Sequence, residues 1–382
     1  MNMPVLPPIA EINGTHHGEI GAELREVFSR CLTRTQGGAQ LFISKQGQTI
    51  VNLAGGGMQV NTPLQVFSVS KLIVAIASAH AHQQGVLNLD QPIAQYWSAF
   101  DRDSTRQITA RMVLDHSSGL CGVSRPLSKQ DWLNDAIEQE MAIQEPFWEP
   151  GTLHGYHAFT YGALMSAIFK HATKQRLQDY VKTHITDPLD FNDDPGFWFG
   201  APAQLLPQLA KLSFAPPILT ESQAHGLMSG LAIQDGSFLP ILQDGPGFFS
   251  DPQVQQADWP AVSGVSSAAS LGKILNATLG YGTEQALLTQ EALNGMIAQR
   301  HHGMDRCLGH VSRYGSGVEL AHGFTPYFGG RSFGHQGAGG SVVAVEPDQG
   351  LVLVYTCTHS SSTVGISDQA ITLLAASRLL LI

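Results

Sequence analysis

Positive charge is what this chain has least of. It holds 8 Lys in 382 residues and carries a formal net charge of −10. No basic stripe can be drawn from so few cations. That argues against a nucleic-acid-binding surface, which needs clustered Lys and Arg against phosphates. Cysteine is sparse too. Cys31, Cys121, Cys307 and Cys357 stand far apart with no Cys-x-x-Cys spacing, which argues against a disulfide framework and for reduced, buried thiols. Long apolar runs are missing. The C-terminal "ITLLAASRLLLI" is short and interrupted by Arg378, so it reads as a docked helix rather than an anchor. The opening "MNMPVLPPIAEING" has three prolines and no basic stretch, unlike a secretory leader. The expectation is a soluble, cytoplasmic protein with no membrane or nucleic-acid partner.

What remains is a globular composition, 43% hydrophobic and rich in glycine, long enough for one large or two packed domains. Residues 18–34 carry apolar positions at helical spacing. "AQLFISKQGQTIVNLAGG" (39–56) reads as two strands around a Gln-Gly turn, and "SVVAVEPDQGLVLVYTCT" (341–358) as a second such pair, followed by a helix over 365–380. The middle differs. Its spacing predicts helices at 69–84, 108–116, 129–141, 159–173, 174–185, 266–279 and 289–299, with long loops at 212–226 and 242–253. The architecture that follows is α/β (α+β). An antiparallel sheet is built from both chain termini (1–66 and 300–382) and flanked by helices, and a mostly helical region (67–299) is inserted between. A site is expected where the two meet.

Three serines compete for chemistry. Ser68-Val-Ser-Lys71 and Ser270-Leu-Gly-Lys273 both match Ser-x-x-Lys, and Gly330-Arg-Ser332-Phe-Gly334 matches Gly-x-Ser-x-Gly. Chance alone supplies about half a Ser-x-x-Lys match in such a chain, so context decides. On a helix, residues i and i+3 share a face, so the lysine amine reaches the hydroxyl. A serine in the first turn also owns an unpaired amide that can hold an oxyanion. Ser68 follows the extended "NTPLQVF" and starts a helix that ends near Gly85. Ser270 lies inside "SSAASLGKILNATLG", where its amide is expected to bond a preceding carbonyl and its hydroxyl to face solvent or back-bond. Ser332 is followed by glycines and then a strand, whereas a nucleophile elbow needs a helix. Ser68 is therefore the candidate nucleophile, and Ser70 a bystander on the next face of its helix.

"FSVSK" (67–71), "MVLDHSSGL" (112–120), "WEPGTLHGYHAFTYGALM" (148–165) and "SFGHQGAGGS" (332–341) occur in that order. Together they resemble the serine β-lactamase and penicillin-binding-protein-like superfamily, and within it the family VIII carboxylesterases. The resemblance runs from about residue 15 to the C-terminus and implies a β-lactamase/transpeptidase-like fold. It places the nucleophile on Ser68, its lysine on Lys71 and the catalytic tyrosine on Tyr156. It puts the third box on His335-Gln336-Gly337 and the oxyanion hole on the amides of Ser68 and Ala338. Substrate contact is expected from His335, Gly337 and His157.

Two departures bear on substrate. Ala158 stands where lactamases carry the asparagine of Tyr-x-Asn, and His335 stands where they carry a lysine. Both remove groups that grip a β-lactam, which leaves neutral esters favoured. The expected activity is hydrolysis of small, fairly apolar esters through an acyl-Ser68 intermediate, with no metal or cofactor. The rivals are a β-lactamase, D-Ala-peptide hydrolase or acyltransferase of the same superfamily, and a catalytically silent binding or assembly protein. The histidine pairs His16-His17, His80/His82, His154/His157 and His301-His302 each lack further ligands for a metal. Trp148, Phe159, Phe328 and Phe333 flank the motif blocks and are available to line an acyl pocket or the core.

Overall fold

A computed structural model describes residues 11–35, 37–124, 127–134, 136–214, 246–360 and 366–382. Most of the 212–226 loop and the first part of 242–253 lie outside the described residues. The rest of the second loop is not loop but two one-turn helices, Pro246–Ser250 and Pro252–Gln256.

Among the described residues the main sheet has nine strands, all antiparallel. They are β1 (Ile12–His16), β2 (Ala39–Lys45), β3 (Gln48–Gly55), β4 (His301–Met304), β5 (Val311–Tyr314), β6 (Glu319–Leu320), β7 (Phe333–Gln336), β8 (Val342–Glu346) and β9 (Leu351–Cys357). Their order is β1-β3-β2-β9-β8-β7-β6-β5-β4. Every strand comes from residues 12–55 or 301–357, and β2 from one end of the chain pairs with β9 from the other, Ile43 opposite Leu353. The β2–β3 hairpin turns on Gln46 and Gly47, both at positive φ (51° and 76°), the two-residue turn that matches strand twist.

The central strands are covered on both faces, so their sequences are apolar throughout. Alternation still assigns each side chain to a layer. Leu41, Ile43, Leu353 and Tyr355 pack with Leu24 and Phe28 of α1 (Gly18–Leu32) and with Leu373 and Leu374 of the C-terminal helix Asp368–Leu381. Phe42, Val343, Val345, Val352 and Val354 face the other way, into the core shared with the helical region. Among the described residues of that region the longest helices are α2 (Ser70–Gln83) and α3 (Thr160–Thr173).

Some boundaries differ from expectation. The predicted helix 129–141 is two, Lys129–Leu133 and Ala136–Ile143. The predicted helix 174–185 begins at Leu177 and ends in a wide turn over Lys182–Thr186. Helix Ala268–Thr278 packs directly on β2 and β9. It can do so because Gly272 faces the Phe42 ring, where any Cβ would overlap it. No helix among the described residues is long and apolar enough to cross a membrane.

Candidate active site

The chain enters the site on a short strand, Leu64–Gln65, paired with Gly264–Ser266. It then turns sharply. Phe67 takes φ of +48°, a conformation that costs a bulky residue about 1–3 kcal/mol and persists only where neighbours enforce it. Ser70 enforces it. Its hydroxyl donates to the Phe67 carbonyl and accepts the Gly264 N–H at 2.8 Å. Ser70 is fully buried, and Gly264 has no room for a Cβ beside it. The bystander role expected of Ser70 is therefore wrong: its hydroxyl clamps the turn that presents Ser68. Its neighbours in this contact, Gly264 and a left-handed Phe67, are not visible in the motif itself. Ser68 lies in the one-turn helix Phe67–Val69 that leads into α2, and it is partly exposed.

Lys71 is buried completely. Its Nζ lies 3.1 Å from Ser68 Oγ, 2.8 Å from the Ala158 carbonyl and 3.0 Å from the Ala261 carbonyl. Burial holds its pKa well below that of a free lysine. The two carbonyls can only accept, so they take two N–H groups and leave the remaining direction pointing at Ser68. In the neutral amine that direction is the lone pair. Ala261 reaches Lys71 because Gly162 of α3 lets the 260–261 backbone lie on the helix, where a Cβ would strike the Ala261 amide.

Tyr156 lies against Lys71, with Nζ 4.8 Å from its ring centre. Desolvation raises its pKa. A hydrogen bond with Ser68 works against that, and the charges of Glu319 and Asp305 add to it. The loop carrying Tyr156 is held by groups that sequence reading missed. Asp305 is buried and accepts the N–H groups of Tyr156 (3.1 Å), Cys307 (2.9 Å) and Leu308 (2.8 Å) and the Ser312 hydroxyl (3.1 Å). His116 Nδ1 accepts the His157 N–H at 3.1 Å, and its ring lies 5.0 Å from that of Tyr156. Burial, followed by the neighbouring His157 and Lys71, lowers the His116 pKa far below the ordinary value.

His157 itself is fully buried. Its Nε2 bonds Ser118 at 2.7 Å and its Nδ1 bonds the Gly155 carbonyl at 2.6 Å. With both nitrogens committed and no exposed surface, it supports the loop and has nothing left for substrate. His154 likewise bonds Ser312 at 3.0 Å.

The third block forms β7 and the turn after it. His335 is buried, its Nδ1 bonds the Gln336 carbonyl at 2.7 Å, and its ring centre is 6.1 Å from that of Tyr156. Burial and then Lys71 push its pKa down to about 4. The Gln336 amide donates to both oxygens of Glu319, at 3.1 and 3.0 Å. Glu319 is a second buried carboxylate, also bonded by Thr325 and Tyr327. Burial would raise its pKa, but hydrogen bonds from His322, Tyr327 and Gln336 and the nearby His335 outweigh that and lower it. Gly337 passes over Val66 so closely that a Cβ would overlap the Val66 carbonyl oxygen. That approach brings the exposed Ala338 beside the Ser68 turn. Among the described residues neither the Ser68 nor the Ala338 N–H has an acceptor.

The other two serines are committed elsewhere. Ser270 is fully buried rather than solvent-facing. Its amide donates to the N-cap hydroxyl of Ser267 at 3.1 Å, not to a preceding carbonyl, and its own hydroxyl accepts the Gly196 N–H at 3.2 Å. Ser332 is buried, accepts the Phe328 N–H at 3.2 Å, and leads into β7. Trp148, Phe328 and Phe333 are core residues. Among the described residues no three His, Cys, Asp or Glu side chains gather as metal ligands would.

The arrangement is a hydroxyl at a strained helix entry, a dry amine, a phenol and two unpaired amides. It can transfer an acyl group through the serine. The beta-lactamase family profile matches residues 24–377. The esterase/beta-lactamase LipL of Mycobacterium tuberculosis is 26% identical over 355 residues, which span 88% of this chain and 80% of that protein. The structure of EstA from Arthrobacter nitroguajacolicus Rue61a superposes with a TM-score of 0.85 at 25% identity, over 97% of this chain and 98% of that one. A family VIII carboxylesterase superposes equally well, with a TM-score of 0.85 at 19% identity, over 97% and 100% of the two chains. The matched span carries the Ser68 turn, the Tyr156 loop and the His335 strand, and the chain belongs to the beta-lactamase family.

Proposed function

We propose that the protein is a serine carboxylesterase that cleaves small, neutral, fairly apolar esters through an acyl-Ser68 intermediate. The observation that carries this reading is the set of three contacts made by Lys71 Nζ, two to carbonyls and one to Ser68 Oγ. With its pKa lowered by burial, Lys71 takes the Ser68 proton as Oγ bonds the ester carbon. The N–H groups of Ser68 and Ala338 hold the oxyanion. The carbon–oxygen bond to the alcohol then breaks, and the proton passes from Lys71 through Tyr156 to the departing oxygen. Water repeats the sequence on the acyl-enzyme, releasing the acid and restoring the Ser68 hydroxyl.

Neutral substrates follow from the charge state of the site. Burial and then Lys71 push the His335 pKa down to about 4, which leaves the ring uncharged at neutral pH. Ala158 offers only its carbonyl, already taken by Lys71. Neither supplies the cation or the amide that a β-lactam carboxylate and side chain would meet.

The test is turnover of p-nitrophenyl acetate and butyrate by the wild type and by Ser68→Ala, Ser270→Ala and Ser332→Ala, with nitrocefin alongside. Only Ser68→Ala should abolish ester hydrolysis, and nitrocefin should turn over far more slowly than the esters. Full activity in Ser68→Ala, or loss in a folded Ser332→Ala, would overturn the assignment. A nitrocefin rate matching the ester rate would favour a β-lactamase. Failure of a fluorophosphonate probe to label the wild type would favour a silent binding protein.

A further inference from the structure

Cys121 and Cys307 stand far apart in sequence and meet in the fold. With Trp148 they form a small buried cluster separate from the two main cores, and Tyr156 packs against it. A side-chain hydrogen bond joins the two thiols, and neither is in a disulfide. The other two cysteines face backbone instead. Cys31 Sγ lies 3.8 Å from the Gln369 carbonyl oxygen, and Cys357 Sγ 3.3 Å from that of Gly339. Both members of the pair border the Tyr156 loop. Cys307 belongs to the turn in which Asp305 accepts the N–H groups of both Cys307 and Tyr156. Its sulfur presses on Gly155, where a Cβ would come within 2.8 Å of it. Cys121 follows directly on the block that holds His116 and Ser118, which bond the His157 amide and ring. The pair therefore bridges the two segments that hold the loop between them.

We propose that Cys121 and Cys307 are a modification site, which hydrogen peroxide converts reversibly to a disulfide that staples the Tyr156 loop. Burial selects the oxidant. The two residues are 1% and 2% exposed, which leaves no room for a mixed disulfide with glutathione but admits a molecule little larger than water. One sulfur takes an oxygen from the peroxide, the O–O bond breaks, and water leaves. The other sulfur then attacks this sulfenic acid, the S–S bond forms, and a second water leaves. The sulfurs lose two electrons, the peroxide gains them, and the two thiol protons end in water. The first step is slow at neutral pH. The Cys121 hydrogen bond and then burial push the Cys307 pKa up, and the thiolate is the reactive form. The second step is fast, because the two side chains are already in contact. A link between positions so distant in sequence removes much loop entropy from the unfolded chain.

The test treats the folded wild type with millimolar hydrogen peroxide at pH 7 and pH 9, blocks the remaining thiols, and maps peptides without reduction. A peptide pair linked through Cys121 and Cys307 should form, faster at pH 9, and should not form with oxidised glutathione in place of peroxide. Oxidation should raise the melting temperature by several degrees. It should also slow hydrogen exchange of the Tyr156 amide, which donates to Asp305. Dithiothreitol should reverse both effects, and Cys121→Ala should show neither. No linked pair after peroxide, a link through Cys31 or Cys357 instead, or a linked protein with unchanged melting temperature and exchange would overturn the proposal. A link formed as readily by oxidised glutathione would overturn the choice of oxidant. The linked pair is read in the wild type, so the test does not depend on how the variant folds. None of these readings involves ester turnover, so the outcome stands apart from the esterase assignment.

Discussion

The Ser70 hydroxyl joins the carbonyl of Phe67 to the amide of Gly264, and so ties the entry of α2 to a strand nearly two hundred residues away. Removing that hydroxyl leaves a buried amide and a buried carbonyl without a partner, at a cost of about 1–3 kcal/mol. Ser70→Ala should lower the urea midpoint accordingly. It should also reduce kcat more than it raises KM, since the position of Ser68 loosens while the walls of the site stay. A variant with wild-type kcat and midpoint would show that the turn holds itself.

Lys71 gives a prediction in the pH dependence of stability. Its pKa in the folded protein lies below the value of about 10.4 in the unfolded chain. Between those two values the unfolded state binds the extra proton, so wild-type stability rises with pH across the window. Lys71→Met has no such group. The stability of the variant relative to wild type should therefore fall as pH goes from 7 to 10, while its esterase activity is lost throughout. A pH-independent difference between the two midpoints would mean that Lys71 is charged in the fold.

His335 should be silent in the neutral range. With a pKa pushed down to about 4, it stays uncharged from pH 5 to 8 and contributes no limb to the kcat/KM profile there. The profile of His335→Gln should keep the same shape over that range. A limb near pH 6.5 that disappears in the variant would contradict this.

Gly337→Ala tests the oxyanion position without touching a reactive group. The new methyl would overlap the Val66 carbonyl oxygen and push the Ala338 amide away from Ser68. Displacing one oxyanion donor costs about a hundredfold or more in kcat. The far-ultraviolet circular dichroism should stay that of the wild type. Retained activity would place the second donor elsewhere.

Much of the candidate site is legible in the chain because its residues come as ordered blocks. Ser68 and Lys71 announce themselves by helical spacing after an extended entry, and Ser332 is set aside by the strand that follows it. The supports are less visible. Asp305 and Glu319 look like any surface acids until the fold surrounds each with donors. His157 belongs to a motif block, yet its burial makes it a support for the loop. Strands β4 and β5 were not foreseen, since "HHGM" and "VSRY" are short, half-buried and polar. The positive φ of Phe67 has no local signal at all, because glycine is the residue that ordinarily marks such a turn.

The pairing of β2 with β9 sets an order on synthesis. Ile43 faces Leu353 across the middle of the sheet, so the layer that carries Ala338 cannot close until nearly the whole chain has been made. Closing so long a loop adds little to the equilibrium cost, since that cost grows only with the logarithm of length. Its effect falls on the folding rate, which drops as contacts become more distant in sequence. A nascent chain, or one truncated before β9, would carry Ser68, Lys71 and Tyr156 before the sheet that fixes β7 beside them can close. Under the acyl-Ser68 proposal the hydroxyl would be made long before the second amide is set beside it, and reactivity would switch on only with the last tenth of the protein.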